Sequence, residues 1–426
     1  MQNDPRSHGL WERTAPPAPA TGRLDGARTA DVAVVGAGFT GLSAALHLAE
    51  AGARAIVLEA AGIGFGGSGR NVGLVNAGMW VMPDDVPGTL GPVHGERLLT
   101  LLGEAPRAVF DLIDRHVIAC EATRSGTLHC GVGDAGKAEL AERARQWQAR
   151  GADVALLGPA DAAAMTGSPA YSAALLDRRA GTLQPLAYAR GLARAAITAG
   201  AEIFTGSPVA AVTRAGTGWR IETPGGSVTA DWIVVASNAY TTAPWPEIRQ
   251  EIVHLPYFNI ATRPLSSNLV RSILPERQGA WDTKEVLSSF RLDQAGRLII
   301  GSVGALRGTG AALHRRWAMH SLKRLFPQLG DVEFEAEWYG KIGMTADSLP
   351  KFHRLGDRIV SFSGYNGRGI APGTVFGQAL AELVLGTTSE DDLPLPLTQP
   401  APQRFRGWRE RYYEVGSQIA HLSSRI

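Results

Sequence analysis

Cysteine is nearly absent. Cys120 and Cys130 are the only two in 426 residues, too few for a disulfide scaffold and without metal-site spacing, so two buried free thiols are expected. Long apolar runs are missing as well, and no segment is expected to span a bilayer. An excess of one charge is also lacking, with 42 Lys and Arg against 40 Asp and Glu. No basic run carries interleaved aromatics, which excludes a nucleic-acid stripe. The opening "MQNDPRSHGLWERTAPPAPATGRLDG" lacks the charged-then-apolar order of a signal peptide and reads as a Pro/Ala-rich lead-in over 1–27. A cytoplasmic location is expected, with peripheral association with the inner membrane left open.

Glycine is what the sequence has in excess. There are 51, roughly 12% where about 7% is usual. Ordering glycine is entropically unfavourable, so the stretch "GFGGSGRNVG" over 64–73 implies a backbone that turns sharply or lies against a ligand. A flexible linker is the alternative, but Arg70, Asn71 and the following "VGLVNAGMW" are not linker composition.

What precedes that stretch gives it context. A β-rich run "DVAVV" over 31–35 leads into "GAGFTG", which places Gly36, Gly38 and Gly41 in G-x-G-x-x-G spacing. A helical segment over 42–51, Gly52 as its stop and a second strand ending at Glu59 complete a dinucleotide-binding unit. Gly36 permits the tight turn, Gly38 the approach of a pyrophosphate, and Gly41 close helix–strand packing. Glu59 is placed to accept hydrogen bonds from both ribose hydroxyls. A second glycine loop, Gly364, Gly367, Gly369 and Gly373, follows a strand over 359–362 and precedes a helix over 374–385. A helix N-terminus aimed at a flavin ring would stabilise the negative charge of its reduced form.

With these motifs the chain resembles the D-amino-acid oxidase-like superfamily of FAD-dependent amine and amino-acid oxidoreductases, nearest its γ-glutamylputrescine oxidoreductase and bacterial L-pipecolate oxidase branches. The resemblance rests on "VAVVGAGFTGLSAALHLAEAG", on "GSGRNVG", on the 181–212 segment and on "SGYNGRGIAPGT". It implies a Rossmann-like α/β FAD-binding domain from 28–82, 150–242 and 340–390. It also implies a discontinuous α+β substrate domain on a mixed β-sheet from 83–149 and 243–339, with a helical tail over 391–426. It implies FAD along Gly36, Gly38, Phe39, Thr40 and Gly41, with Glu59, Ala60 and the backbone of Val209 at the adenosine end. Gly67, Ser68, Gly69, Arg70, Asn71, Val72, Gly73 and Leu74 would follow its middle, and Gly343, Gly364, Asn366, Gly367, Arg368, Gly369 and Ile370 its ring. Covalent members of the family carry a cysteine shortly before the last loop or a histidine in the first; "YGKIGMTADSLP" has no cysteine and Arg70-Asn71 no histidine, so the FAD is expected to be non-covalent. Ile299 stands where the sarcosine oxidase branch has a lysine, which leaves the electron acceptor, oxygen or a quinone-type respiratory carrier, open.

The implied reaction is hydride transfer from the carbon beside an unprotonated amine, giving an imine. Arg368 is the candidate for gripping a substrate carboxylate, since a guanidinium binds one bidentately. His254, weighed as a base against a structural role, and Tyr257 join Arg368 as candidate catalytic residues, and Asn76, Met79 and Trp80 are weighed as cavity walls against core packing. A nicotinamide-dependent dehydrogenase would explain 31–59 but leave both later glycine loops idle. A non-catalytic flavin-binding module is the third reading.

Overall fold

Alternation along one strand sets the first layer. In Gly26–Val35, Val32 and Val34 enter one hydrophobic cluster while Ala33 enters another on the opposite face, as the two-residue period of a strand requires. The computed structural model describes residues 8–423, and among these the strand lies inside a nine-stranded sheet. Its neighbours on both sides are parallel, with Val34 opposite Val234 of Gly226–Val235 and Val57 of Ala55–Leu58. Outward from these lie Ile359–Ser363 and Glu202–Phe204, also parallel. The helices Phe39–Glu50, Pro185–Thr198 and Ile370–Leu385 supply the cluster that Val32 and Val34 enter. Parallel strands joined through covering helices form the doubly wound α/β arrangement. The last helix begins at Ile370 rather than at the expected 374. Pro372 does not prevent this, because a missing N–H is tolerated in a helix's first turn.

The second sheet has eight strands among the described residues. It is antiparallel except where Gly279–Asp282 runs parallel to Thr127–Gly131, the mixed sheet expected of a substrate layer. Phe258, Ile260, Phe290 and Ile300 cover one face together with Trp317, Leu322 and Leu325 of the helix Thr309–Leu325. Two strands of this sheet, Val154–Leu157 and Ala173–Asp177, fall inside the segment 150–242 assigned above to the first layer, and Phe334–Met344 straddles the boundary at 340. Their ladder partners claim them: Ala173–Asp177 pairs antiparallel with Thr127–Gly131, and Phe334–Met344 with Val253–Pro264. We therefore propose a division by sheet membership, with these strands in the substrate layer.

The expected lead-in is not an idle segment. Leu10 and Trp11, on the short helix Leu10–Thr14, are fully buried. Residues 1–7 of the lead-in and 424–426 of the tail lie outside the described residues. The expected helical tail is α-helical only over Arg406–Ser423; before it, Leu397–Thr398 pairs parallel with Lys351–Gly356 as an edge strand of the first sheet. No helix among the described residues is long and apolar enough to cross a membrane.

Two buried imidazoles key that last helix to the body. His421 Nδ1 lies 2.8 Å from His314 Nδ1, one nitrogen donating to the other, and its ring stacks on Trp317 at 4.1 Å. Burial lowers the pKa of His314 to about 4 and of His421 to about 3. The unfolded chain takes up both protons below the ordinary value of 6.5, whereas the folded chain does not. Stability therefore falls as pH drops from 6.5 towards 4, by up to about 1.4 kcal/mol per pH unit for each ring. Urea unfolding at pH 7.5 and 5.5 should show this loss, and His314→Gln should reduce it; an unchanged slope in the variant would remove the pair as its source.

Candidate active site

The first glycine turn is built by close approach. Gly36 adopts φ +106° and donates its N–H to the Leu58 carbonyl at 2.9 Å. A Cβ on Gly41 would overlap the Gly36 carbonyl oxygen and lie 3.2 Å from Val34 Cγ1. Gly38 caps the helix Phe39–Glu50, and a Cβ there would stand 2.9 Å from Ser68 Oγ. That oxygen accepts the Phe39 N–H at 3.1 Å, so the two N-terminal glycine segments touch. Glu59 accepts the N–H groups of Ala37 and Ala61, both at 2.8 Å, and burial raises the pKa of its carboxyl group. Each carboxylate oxygen keeps acceptor capacity for a further donor.

The C-terminal loop arrives at the same place. Asn366, at φ +50°, accepts the Thr345 N–H at 2.8 Å and donates to the Gly364 carbonyl at 2.8 Å, so its side chain braces the loop. The following helix packs closely on Phe39–Glu50: a Cβ on Gly377 would lie 2.7 Å from Ser43 Cβ, and Ser43 Oγ donates to the Thr374 carbonyl at 2.7 Å. Tyr365 OH hydrogen-bonds Thr40 Oγ1. Two helix N-termini thus converge on one cavity of about 440 Å³, which runs from Glu59, Ala60 and Val209 past Gly36, Gly38, Phe39, Thr40 and Ser68 to Lys341, Gly343, Gly367 and Gly369. Such termini attract negative charge.

A second cavity, of about 260 Å³, opens on the first. They share Gly67, Asn71, Lys341, Ile342, Gly367 and Gly369. Trp80, Tyr257 and Trp281, with the aliphatic Leu255, Leu287, Val303 and Ile370 and with Met344, make its walls apolar. No Asp, Glu or His among the described residues lines it. Tyr257 hydrogen-bonds Ser289 Oγ at 2.7 Å, and burial pushes its pKa upward, which keeps the phenol neutral. Lys341 stands at the junction of the two cavities. Its ammonium has no hydrogen-bond or ion-pair partner among the described residues, and burial, then Arg249 and Arg307, lowers its pKa.

The residues singled out in the sequence distribute unevenly. Arg70, Val72, Leu74, Asn76 and Asn366 line the second cavity, while Gly41, Gly69, Gly73 and Gly364 line neither and serve packing. Asn71 lies at the junction but spends its side chain on the loop, donating to the Gly67 and Ser68 carbonyls at 3.0 Å and accepting the Gly73 N–H at 2.9 Å. Arg368 is displaced from its expected role. It donates to the Ala77 carbonyl at 2.7 Å behind Trp80 and Trp281, with its guanidinium carbon 5.0 and 5.5 Å from their rings, and it lines neither cavity. Burial lowers its pKa to about 9, so it stays cationic at neutral pH. His254 also lines neither cavity: Nε2 donates to the Ala239 carbonyl at 2.7 Å and Nδ1 accepts from Arg249 at 2.9 Å, which leaves no nitrogen for a base. Trp281, Leu255, Leu287, Ser289 and Val303 were not legible as wall residues, because nothing local distinguishes them from core.

Comparison with known proteins agrees with this geometry. A family model described as "FAD dependent oxidoreductase" matches residues 31–383. The chain is 34% identical over 401 residues to the gamma-glutamylputrescine oxidoreductase of Escherichia coli (strain K12), covering 93% of each. It is 29% identical over 396 residues to the probable oxidoreductase OrdL of Rhizobium meliloti (strain 1021), covering 92% of each. Among solved structures it is similar to glycine oxidase from Geobacillus kaustophilus, with TM-score 0.70 and 22% identity over 87% of this chain and 99% of that one. L-proline dehydrogenase from P. horikoshii shares the fold with TM-score 0.71 at 17% identity, over 86% and 96% of the two chains.

Proposed function

The chain belongs to the family of FAD-dependent oxidoreductases, and from that premise we propose that it oxidises the C–N bond of a carboxylated amine or imino acid to an imine. The residues of the first cavity fit the cofactor. Glu59 retains acceptor capacity for ribose hydroxyls, and Gly38 leaves the helix N-terminus clear for pyrophosphate. Gly367 and Gly369, before the second helix N-terminus, leave room for a flat ring. No cysteine or histidine lines this cavity among the described residues, which supports non-covalent binding. When bound, FAD supplies the two-electron acceptor for the hydride.

The observation that carries the reading is the second cavity, which shares six residues with the first and is walled by Trp80, Tyr257 and Trp281. Its aromatic walls exclude water and hold the substrate's carbon frame. Its cations, Lys341 and Arg70, disfavour a protonated amine, so the substrate binds with the free nitrogen lone pair that hydride loss requires. No protein base is needed for that step. We assign the substrate carboxylate to Lys341 rather than Arg368, because Lys341 lines both cavities and Arg368 lines neither. γ-Glutamylputrescine and L-pipecolate both belong to this class. The acceptor that reoxidises the flavin is oxygen or a quinone-type carrier; Ile299 is packed against Trp11 and Trp338, so its strand brings no cation there. A cytoplasmic setting accords with the two free, buried thiols.

The test is an anaerobic titration of the purified protein with L-pipecolate, L-proline, sarcosine and γ-glutamylputrescine, read as bleaching of the oxidised-flavin band. Bleaching by one of them supports the reading, and readmission of air then tests oxygen against an added quinone. Flavin that no amine reduces would favour a non-catalytic module. For the substrate found, Lys341→Met should raise KM by about 10- to 100-fold, the value of a charge-assisted hydrogen bond of roughly 1.5–3 kcal/mol. An equal effect on an amine lacking the carboxylate would remove Lys341 from that role.

A further inference from the structure

The C-terminal helix Arg406–Ser423 buries Ser417 and His421 against the body and turns its other face to water. Along that outer face Trp408, Tyr412, Val415, Ile419 and Leu422 are 76, 68, 55, 60 and 49% exposed, and Phe405, which precedes the first turn at φ +55°, is 73% exposed. Their spacing alternates three and four, which is the narrow seam of paired helices. Side chains of these sizes leave on the order of 800 Å² of apolar surface in water, more than the roughly 300–600 Å² of a typical monomer's largest patch and about the share per partner of a standard interface. The helix's two acids do not interrupt the seam, because Glu410 pairs with Arg249 at 2.6 Å and Glu414 with Arg307 at 2.5 Å.

We propose that this seam pairs antiparallel with the same helix of a second copy of the chain, about a two-fold axis between Tyr412 and Val415. The order of residues selects this arrangement. Aromatics occupy the first half of the seam and aliphatics the second, so antiparallel pairing sets Phe405 on the partner's Leu422, Trp408 on the partner's Ile419 and Tyr412 on the partner's Val415. Arg409 and Arg411 then flank the partner's Gly416 and the partner's Gln418. A parallel pair would instead stack each aromatic on its own copy and bring Arg404 against the partner's Arg409. An isologous contact of this kind closes as a dimer. No residue of the seam lines either cavity, so the pairing is independent of the reaction proposed above.

Light scattering of the full, flavin-loaded chain at micromolar concentration should give twice the 45.1 kDa chain mass. Trp408→Glu combined with Ile419→Glu should return the single mass with flavin content and turnover per flavin unchanged. Should that variant misfold, Trp408→Cys with Ile419→Cys decides: mild oxidation should give a covalent dimer on non-reducing gels. A monomeric parent chain, a dimer indifferent to the two glutamates, or no covalent dimer from the cysteine pair would each overturn the proposal. A monomer that sediments with phosphatidylglycerol vesicles through the same residues would make the stripe a lipid-facing one instead.

Discussion

Gly41→Val should yield a protein that retains no flavin. Gly41 sits in the first turn of Phe39–Glu50, fully enclosed, where its Cα faces the Gly36 carbonyl and the Val34 side chain. A valine there meets backbone, not a movable side-chain end. The Gly36 oxygen cannot retreat without breaking the turn, whose N–H is bonded to Leu58 at 2.9 Å. Overpacking ordinarily destabilises by about 1–3 kcal/mol, and the only relief here is to lift the helix from the strand. That movement also withdraws the helix N-terminus from the cavity, so the stabilisation that FAD gives the native state by mass action is lost as well. The measurement is the visible flavin absorbance per protein after purification, with the rise in Tm on adding FAD. Gly62→Ala is the control, since a Cβ at Gly62 meets nothing within 4 Å. Full flavin in the valine variant would show that this close approach is not required.

Trp11→Ala should be nearly as damaging, although Trp11 touches neither cavity. Its indole is fully buried, edge-on to Trp338 at 5.3 Å, and its N–H donates to the Asn71 carbonyl at 2.9 Å. Trp338 donates in the same way to the Arg70 carbonyl at 2.9 Å. Two indoles, one from the N-terminal helix and one from the strand Phe334–Met344, therefore hold consecutive carbonyls of the glycine loop. Truncating a buried tryptophan is expected to lose roughly 3–5 kcal/mol. Trp11→Phe separates the two contributions: it keeps most of the packing and leaves a buried carbonyl unpaired, at about 1–3 kcal/mol. Denaturant unfolding should rank the parent above the phenylalanine and that above the alanine variant, with flavin affinity following the same order. Equal stability of parent and phenylalanine variants would show that the N–H contributes nothing.

The chain's own composition and spacing determined the cofactor side of this protein. The strand, glycine turn, helix and acidic strand end at 31–59 lie within one short segment, and each part is encoded by its immediate neighbours: alternation in Gly26–Val35, close approach at Gly41, a stop at Gly52. The two later glycine loops were legible for the same reason. What only the tertiary structure decided is the substrate side. Trp80 and Trp281 meet across one cavity because two strands of a mixed sheet and a loop of the other layer are brought together by packing. Arg368, set in a glycine loop, read in the sequence as free to grip a substrate carboxylate, yet the same tryptophans cover it and the Ala77 carbonyl holds it. The Pro/Ala-rich lead-in carried no periodic signal for Trp11, whose partners stand far along the chain. Local pattern fixes which backbone a segment adopts; which side chains then share a cavity depends on how separately formed layers are docked, and no short stretch of sequence contains that.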